Sequence, residues 1–310
     1  DAVVKTSLYY HMPMVLSSSA NDRTSTSELM KNDRDLPYCY SVASSVKDIR
    51  PLLENLMQRS QDMVRSNDVA EPFQSNGGTE ISSEASTQAM MTTISSLDIS
   101  LFSDVIHHCL RISRALCHDA THAMIVGISG TGKQSIAKLA CVASGFVVLQ
   151  PPKQEGRSVI KATEIGAFHT LLLEMLRGAW KAAVLGNTPV ALLITGDDCA
   201  IPNASGDSML LEYVNCLLSD GMIPGLFTTD ELESLRLEMA STMAHASNTI
   251  QESSRRLRRN LRLILCVNSR SPLLHKYFLG YPQLLRKCYV DVVDPWSRGA
   301  LSLVAKRRLG

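Results

Sequence analysis

No two of the eight cysteines, at 39, 109, 117, 141, 199, 216, 266 and 288, have C-x-x-C spacing. That absence argues against a zinc site. Several thiols lie in apolar runs, such as Cys266 in LILCV, where a free cysteine packs as a small hydrophobe. The pattern points to a reduced, intracellular compartment. No apolar run approaches the roughly 20 residues that a membrane-spanning helix needs. Neither charge is in excess: 31 Lys and Arg against 30 Asp and Glu leave a net charge of +1. This excludes a nucleic-acid-binding face spread over the whole surface and leaves only local basic patches to consider. No initiator Met and no basic region precede the short apolar patch of DAVVKTSLYYHMPMVLSSSA. The start therefore reads as an internal cut and not as a signal peptide. No internal repeat is present.

What is there is a chain of 310 residues, 45% hydrophobic and 20% charged, enough for one large domain or two ordinary ones. Residues 17–27 and 66–96 are Ser/Thr-rich and poorly periodic, which predicts loops or linkers. Between them Val46, Ile49, Leu52, Leu53, Leu56 and Met57 recur at three and four residues, an amphipathic helix in which Pro51 is tolerable only near the first turn. From Leu97 the texture tightens. SLFSDVIHHCLRISRALC places Leu101, Val105, Ile106, Cys109, Ile112 and Leu116 on one helical face. Three apolar strands, AMIV, VALLIT and LRLILCV, and a shorter one, FVVL, then alternate with helical segments. That alternation predicts an α/β fold with a parallel sheet covered on both faces, its function at the carboxyl ends of the strands. We expect a helical and irregular lead-in over 1–96 and a nucleotide-binding domain over 97–310.

The strongest chemical signal is GISGTGKQS at 127–135, a G-x-x-x-x-G-K loop between a buried strand and a helix. Gly127, Gly130 and Gly132 let backbone N–H groups curl around a phosphate, with Ser129 and Thr131 between them. Lys133 neutralises phosphate oxygens, and the helix beyond adds its N-terminal dipole. The usual hydroxyl after the lysine, which would bind Mg2+, is replaced by Gln134. Ser135 lies about 100° further round the helix, in a surface or packing position. The grip on phosphate is intact while the seat for Mg2+ is altered.

VALLITGDD ends on two carboxylates. Asp197 is the candidate Mg2+ ligand, and Asp198 falls where a glutamate would activate water. Asp is one methylene shorter, and a misplacement of about 1 Å costs on the order of 100-fold. Gly196 makes the register ambiguous by one residue. Asn268, closing LRLILCVN, is either a water-orienting residue or a turn former. RRLRRN at 255–260 is a dense basic run without aromatic interleaving, which reads as a solvated helix face or a neighbour contact. His107, His108 and His118 lack metal-ligand spacing and read as surface or capping residues.

SLFSDVIHHCLRISRAL, HAMIVGISGTGKQSIAKLA, LLEYVNCLLSDGMIPGLFTTDELESL, RRNLRLILCVNS and YPQLLRKCYVDVVDPWSRGALSLVA run in an order that resembles dynein heavy chains. The likeness is to the fourth AAA+ module of the motor ring in its axonemal-type variants. It spans roughly 97–307, with a fainter echo over 38–65, where YCYSVASSVKDIRPLLENL looks like the usual lead-in. The resemblance implies a P-loop AAA+ domain that binds ATP or ADP and Mg2+ in a regulatory role, with slow or absent hydrolysis. It implies neighbouring AAA+ modules of the same heavy chain as partners. Through the full-length protein it implies microtubules and dynein intermediate and light chains, in the cytoplasm and cytoskeleton and in a cilium or flagellum axoneme; it implies no nucleic acid and no membrane. Three features depart from the family pattern. CAIPNASGDS after the acidic strand is longer, the 66–96 stretch is atypical, and HKYFLGYP lacks the expected finger arginine, for which Arg286 is poorly placed. Two other readings stand beside this one: an independent AAA+ ATPase using Asp197 and Asp198, and a nucleotide-free scaffold that packs in a ring.

Overall fold

The computed structural model describes residues 8–10, 41–43, 46–68, 99–118, 121–151, 162–200, 208–242, 249–271 and 273–309. The Ser/Thr-rich segments 17–27 and most of 66–96, and the long link at 201–207, lie outside the described residues. Strands β1 (Leu8–Tyr10) and β2 (Ser41–Ala43) pair antiparallel as a separate two-stranded sheet.

The main sheet has five parallel strands: β3 (His122–Gly127), β4 (Val147–Leu149), β5 (Val190–Thr195), β6 (Leu261–Asn268) and β7 (Cys288–Val293). Their order is β4-β5-β6-β3-β7, so β6 is central and β5 and β3 flank it. Strands buried on both faces need apolar side chains at every position, not at alternate ones. β5 and β6 satisfy this nearly throughout. The side-chain alternation divides the interior into two clusters. Ala123, Ile125, Ala191, Leu193, Ile264 and Cys266 face one way, and Met124, Leu192, Ile194, Leu263 and Leu265 the other.

The first face is covered by α1 (Val46–Asp68), α2 (Ser103–Cys117) and α3 (Lys133–Ala143). Ile49, Leu53, Leu56 and Met57 of α1 are buried in the same cluster as Ile112 of α2 and Ile136 of α3. Each fully buried leucine contributes roughly 2 kcal/mol. Pro51 sits in the second turn of α1, one turn further in than its chemistry favours. There it is exposed, and the turn loses one backbone hydrogen bond. The second face is covered by α4 (Ala162–Val184), α5 (Met209–Asp220), α6 (Thr229–Thr242) and α7 (Thr249–Asn260). The short helices α8 (Leu273–Gly280) and α9 (Pro282–Lys287) lead into β7, and α10 (Arg298–Leu309) follows it. Gly221 ends α5 at φ +72°, the left-handed cap that lets the chain turn away.

Strand β7 escapes the sequence pattern because it is an edge strand whose inward residue is a carboxylate. Asp291 is 3% exposed, and it accepts from Arg111 Nε at 3.0 Å while its other oxygen lies 2.5 Å from His108 Nδ1. Arg111 Nη2 is 2.8 Å from the same imidazole nitrogen. This corrects the reading of His108 as a surface or capping residue: α2 packs against β7, and the imidazole closes a buried ionic cluster there. His118 does occupy the C-cap of α2. The RRLRRN run forms a helix face on α7. Glu252 holds Arg255 at 2.9 Å and Arg256 at 3.2 Å, and Arg256 also donates to Val184 O.

Replacing Asp291 by Ala leaves the buried His108 side chain and part of the Arg111 charge without their acceptor. The expected loss is about 3 kcal/mol of folding free energy, read from the urea midpoint of the chain. Asp291→Asn retains one acceptor and should lose about half as much; equal midpoints for both variants and the parent would remove the cluster from the stability account.

Candidate functional site

Parallel register brings the three polar strand ends to one level. Gly127 pairs with Asn268 on one side and with Val293 on the other, and Thr195 pairs with Cys266 two positions before Asn268. The ladder runs one residue further along β5, because Gly196 N donates to Cys266 O at 3.0 Å. The acidic turn, Asn268 and the glycine loop therefore lie at the ends of three adjacent strands.

The loop leaves β3 through Gly127 and enters α3 at Lys133. A Cβ at Gly127 would lie 2.5 Å from Val293 O, closer than any real contact, so only glycine fits between the strands. Gly130 and Gly132 have φ of +85° and +72°, values that glycine adopts without cost. A Cβ on Gly130 would meet nothing within 4 Å. The loop braces itself on one carbonyl: Thr131 Oγ1 donates to Ile128 O at 2.9 Å and Lys133 Nζ at 2.6 Å. Partial burial lowers the Lys133 pKa from its ordinary value, and its ammonium makes no ion pair among the described residues. Thr131 is buried, Ser129 and Gln134 are exposed, and Ser135 is half-buried. The N-terminus of α3 has no side-chain cap, which leaves its first backbone N–H groups available to an anion.

Asn268 touches this loop directly. Its Nδ2 donates to Ser129 Oγ at 3.0 Å, and its Oδ1 accepts from Arg270 N at 3.1 Å. It thus forms a turn and also ties β6 to the loop. Asp198 opens a short 3-10 turn and folds back on its own strand. Its Oδ2 accepts from both the N–H and the hydroxyl of Thr195, each at 2.7 Å. Asp197 is exposed at the tip of the turn.

Two neighbours of the loop were not apparent from motif reading. Val293 supplies the carbonyl that excludes any side chain at Gly127, and the Trp296 ring would lie 3.8 Å from a Cβ on Gly132. Trp296 also packs edge-on against Phe102, with ring centroids 4.7 Å apart. The only sequence signal for this wall is an aromatic residue shortly after a strand, which is too common to single out. The seven described cysteines are all free, and burial pushes the Cys109 and Cys266 thiols up to about 12, so they stay protonated.

A glycine loop between an inner parallel strand and an uncapped helix, beside strands ending in Asp and Asn, is the layout of a P-loop AAA+ domain. The family described as P-loop containing dynein motor region D4 matches residues 97–310. The chain belongs to the dynein heavy-chain motor family. It is 28% identical over 218 residues to the mouse dynein axonemal heavy chain 8, an overlap of 68% of this chain and 4% of that protein. It is 29% identical over 219 residues to the human dynein axonemal heavy chain 17, covering 69% of this chain and 4% of the relative. Against the Chlamydomonas reinhardtii dynein-1-beta heavy chain of the flagellar inner arm I1 complex, identity is 29% over 221 residues, with 69% and 4% covered. The chain therefore spans about one twenty-fifth of the length of these dynein relatives.

Gly127→Ala should be the most damaging single methyl in the dynein P-loop. The added carbon forces β3 and β7 apart at Val293, and a loss of about 2 kcal/mol is expected from overpacking, visible as a lower thermal midpoint without any ligand. Gly130→Ala meets open space and pays only the left-handed backbone cost of about 1 kcal/mol; the reverse order of the two variants would contradict the close approach at Val293.

Proposed function

We propose that the chain is a nucleotide-holding ring module of a dynein heavy chain, binding ATP or ADP with Mg2+ at Gly127–Ser135 and hydrolysing it slowly or not at all. The observation that carries this reading is the contrast within the site between a phosphate loop at an uncapped helix end and a carboxylate already engaged. Gly127, Ser129, Gly130, Thr131, Gly132 and Lys133 fit a polyphosphate. The α3 N-terminus is uncapped, and the lysine ammonium makes no ion pair among the described residues. Bound nucleotide would supply the negative charge that these donors and the helix dipole balance.

The Mg2+ side of the site fits less well. Gln134 offers a carbonyl oxygen where a hydroxyl is usual, Ser135 is turned away round the helix, and the remaining ligand candidate, Asp197, is exposed at the tip of its turn. Asp198, in the position of a water-activating carboxylate, spends one oxygen on two bonds from Thr195. To act as a base it would have to turn this oxygen from Thr195 or present its other one, on a side chain one methylene shorter than glutamate. Asn268 is the residue best placed to sense what occupies the loop, since it already holds Ser129. These features support a regulatory module over one with rapid turnover. Membership of the dynein motor family supports neighbouring AAA+ modules of one heavy chain as its immediate partners. Microtubules and intermediate and light chains would be engaged through the full-length protein. The names of its axonemal relatives support a place in a cilium or flagellum axoneme.

Titration with fluorescent ADP and ATP analogues tests this. Lys133→Ala should weaken binding about 10-fold or more, the worth of a charge-assisted contact. Gln134→Thr should sharpen the dependence of affinity on Mg2+. Failure of the parent chain to bind at millimolar nucleotide would leave the scaffold reading instead, and abolition of a measurable turnover by Asp198→Asn would establish an active ATPase.

A further inference from the structure

At the opposite end of the main sheet a cavity of about 250 Å³ opens between the start of β3, the start of β6 and the C-terminal ends of α5, α7 and α9. Its polar lining comes from His122, Ser219, Ser254, Arg258 and Lys287, and its apolar floor from Leu217, Leu257 and Leu261. No Asp or Glu is among the described residues that line it. The cations come from separate elements, Arg258 from the last turn of α7 and Lys287 from the last residue of α9. Buried Arg262 adds a third positive charge from behind, its guanidinium donating to Leu116 O at 2.7 Å and Leu261 O at 3.1 Å.

Helix dipoles do not account for this charge. α5, α7 and α9 all bring their C-terminal ends to the cavity, each worth at most roughly half a negative unit that falls off within a turn. Three cations exceed the three helix ends by roughly one and a half units. The histidine fixes the polarity of the pocket further. His122 Nδ1 accepts from Leu263 N at 3.1 Å, so the neutral ring carries its proton on Nε2. That N–H has no partner among the described residues. Burial, then the charges of Arg262 and Lys287, hold the imidazole at about 3, so it is neutral near pH 7 and donates one hydrogen bond. The cavity thus offers two exposed cations, an imidazole N–H and two hydroxyls over a leucine floor.

We infer that this cavity is a second ligand site, for a small organic anion whose phosphate or carboxylate head meets Arg258, Lys287 and His122 and whose short aliphatic body rests on Leu257 and Leu261. It is distinct from the phosphate loop: His122 and Gly127 are the two ends of β3, roughly 17 Å apart at strand rise. A volume of about 250 Å³ lies just below the roughly 300–1,000 Å³ of pockets that enclose drug-sized ligands, which favours a small molecule.

The test titrates the 310-residue chain with n-butyl phosphate and, separately, n-butyrate. Binding is followed by the imidazole NMR signal of His122, assigned by its disappearance in His122→Gln. A saturable shift of that signal with either anion is expected. Arg258→Gln with Lys287→Gln, both at exposed side chains, should weaken it about 10-fold or more, while Lys133→Ala leaves it unchanged. Survival of the shift in the double variant, or its loss with Lys133→Ala, would overturn the assignment by placing the anion elsewhere. An equal response to n-butanol would overturn the anionic head, and equal affinity for inorganic phosphate the aliphatic body. Absence of any shift with both anions would sink the site altogether. None of these outcomes depends on nucleotide binding at the loop.

Discussion

Gly127 stands in register between Asn268 and Val293, and the space beside its α-carbon is already occupied by a backbone carbonyl. That close approach lets β3 sit between β6 and β7 at full ladder contact up to its last residue. The loop consequently begins at a defined height above the sheet, level with the ends of β5 and β6. Ser129 then falls within reach of Asn268, and the acidic turn after Thr195 reaches the same level. Had the position carried a side chain, β7 would have to yield, and with it the segment that brings Trp296 against the loop.

Much of this was legible from residue order. The apolar runs around Ile125, Leu193 and Leu265 announce strands buried on both faces, and the glycine spacing with Lys133 announces the loop between strand and helix. What could not be read is what depends on partners distant in the chain. Strand β7 alternates weakly and carries Asp291 inward, a pattern that makes sense only once His108 and Arg111 lie opposite, some 180 residues away. His108 looks like a surface residue because the carboxylate that it meets, Asp291, lies 183 residues away in the chain. The acidic pair was legible as chemistry and not as geometry. Which carboxylate turns back on Thr195 depends on the 3-10 turn at Asp198, and Gly196 conceals that register.

A fold of this kind can separate holding from cutting. In the proposed function, phosphate would be gripped by backbone, glycine conformation and a helix end, all consequences of the β3–α3 connection. Hydrolysis would rest on single side chains at the ends of other strands, and these can change without disturbing the sheet. Gln134 and the Thr195–Asp198 contact are changes of that kind. They cost the core nothing, since both lie outside the two apolar clusters.

Helix α1 shares its buried face with α2 and α3, so Ile49 and Leu53 belong to the same packed layer as Ile136, one turn beyond the loop lysine. Close-packed interiors are stiff and pass displacement on instead of absorbing it. Tension applied to the chain ahead of Val46 would accordingly load α1 in shear and be delivered to the N-terminal turn of α3, where the phosphate loop ends.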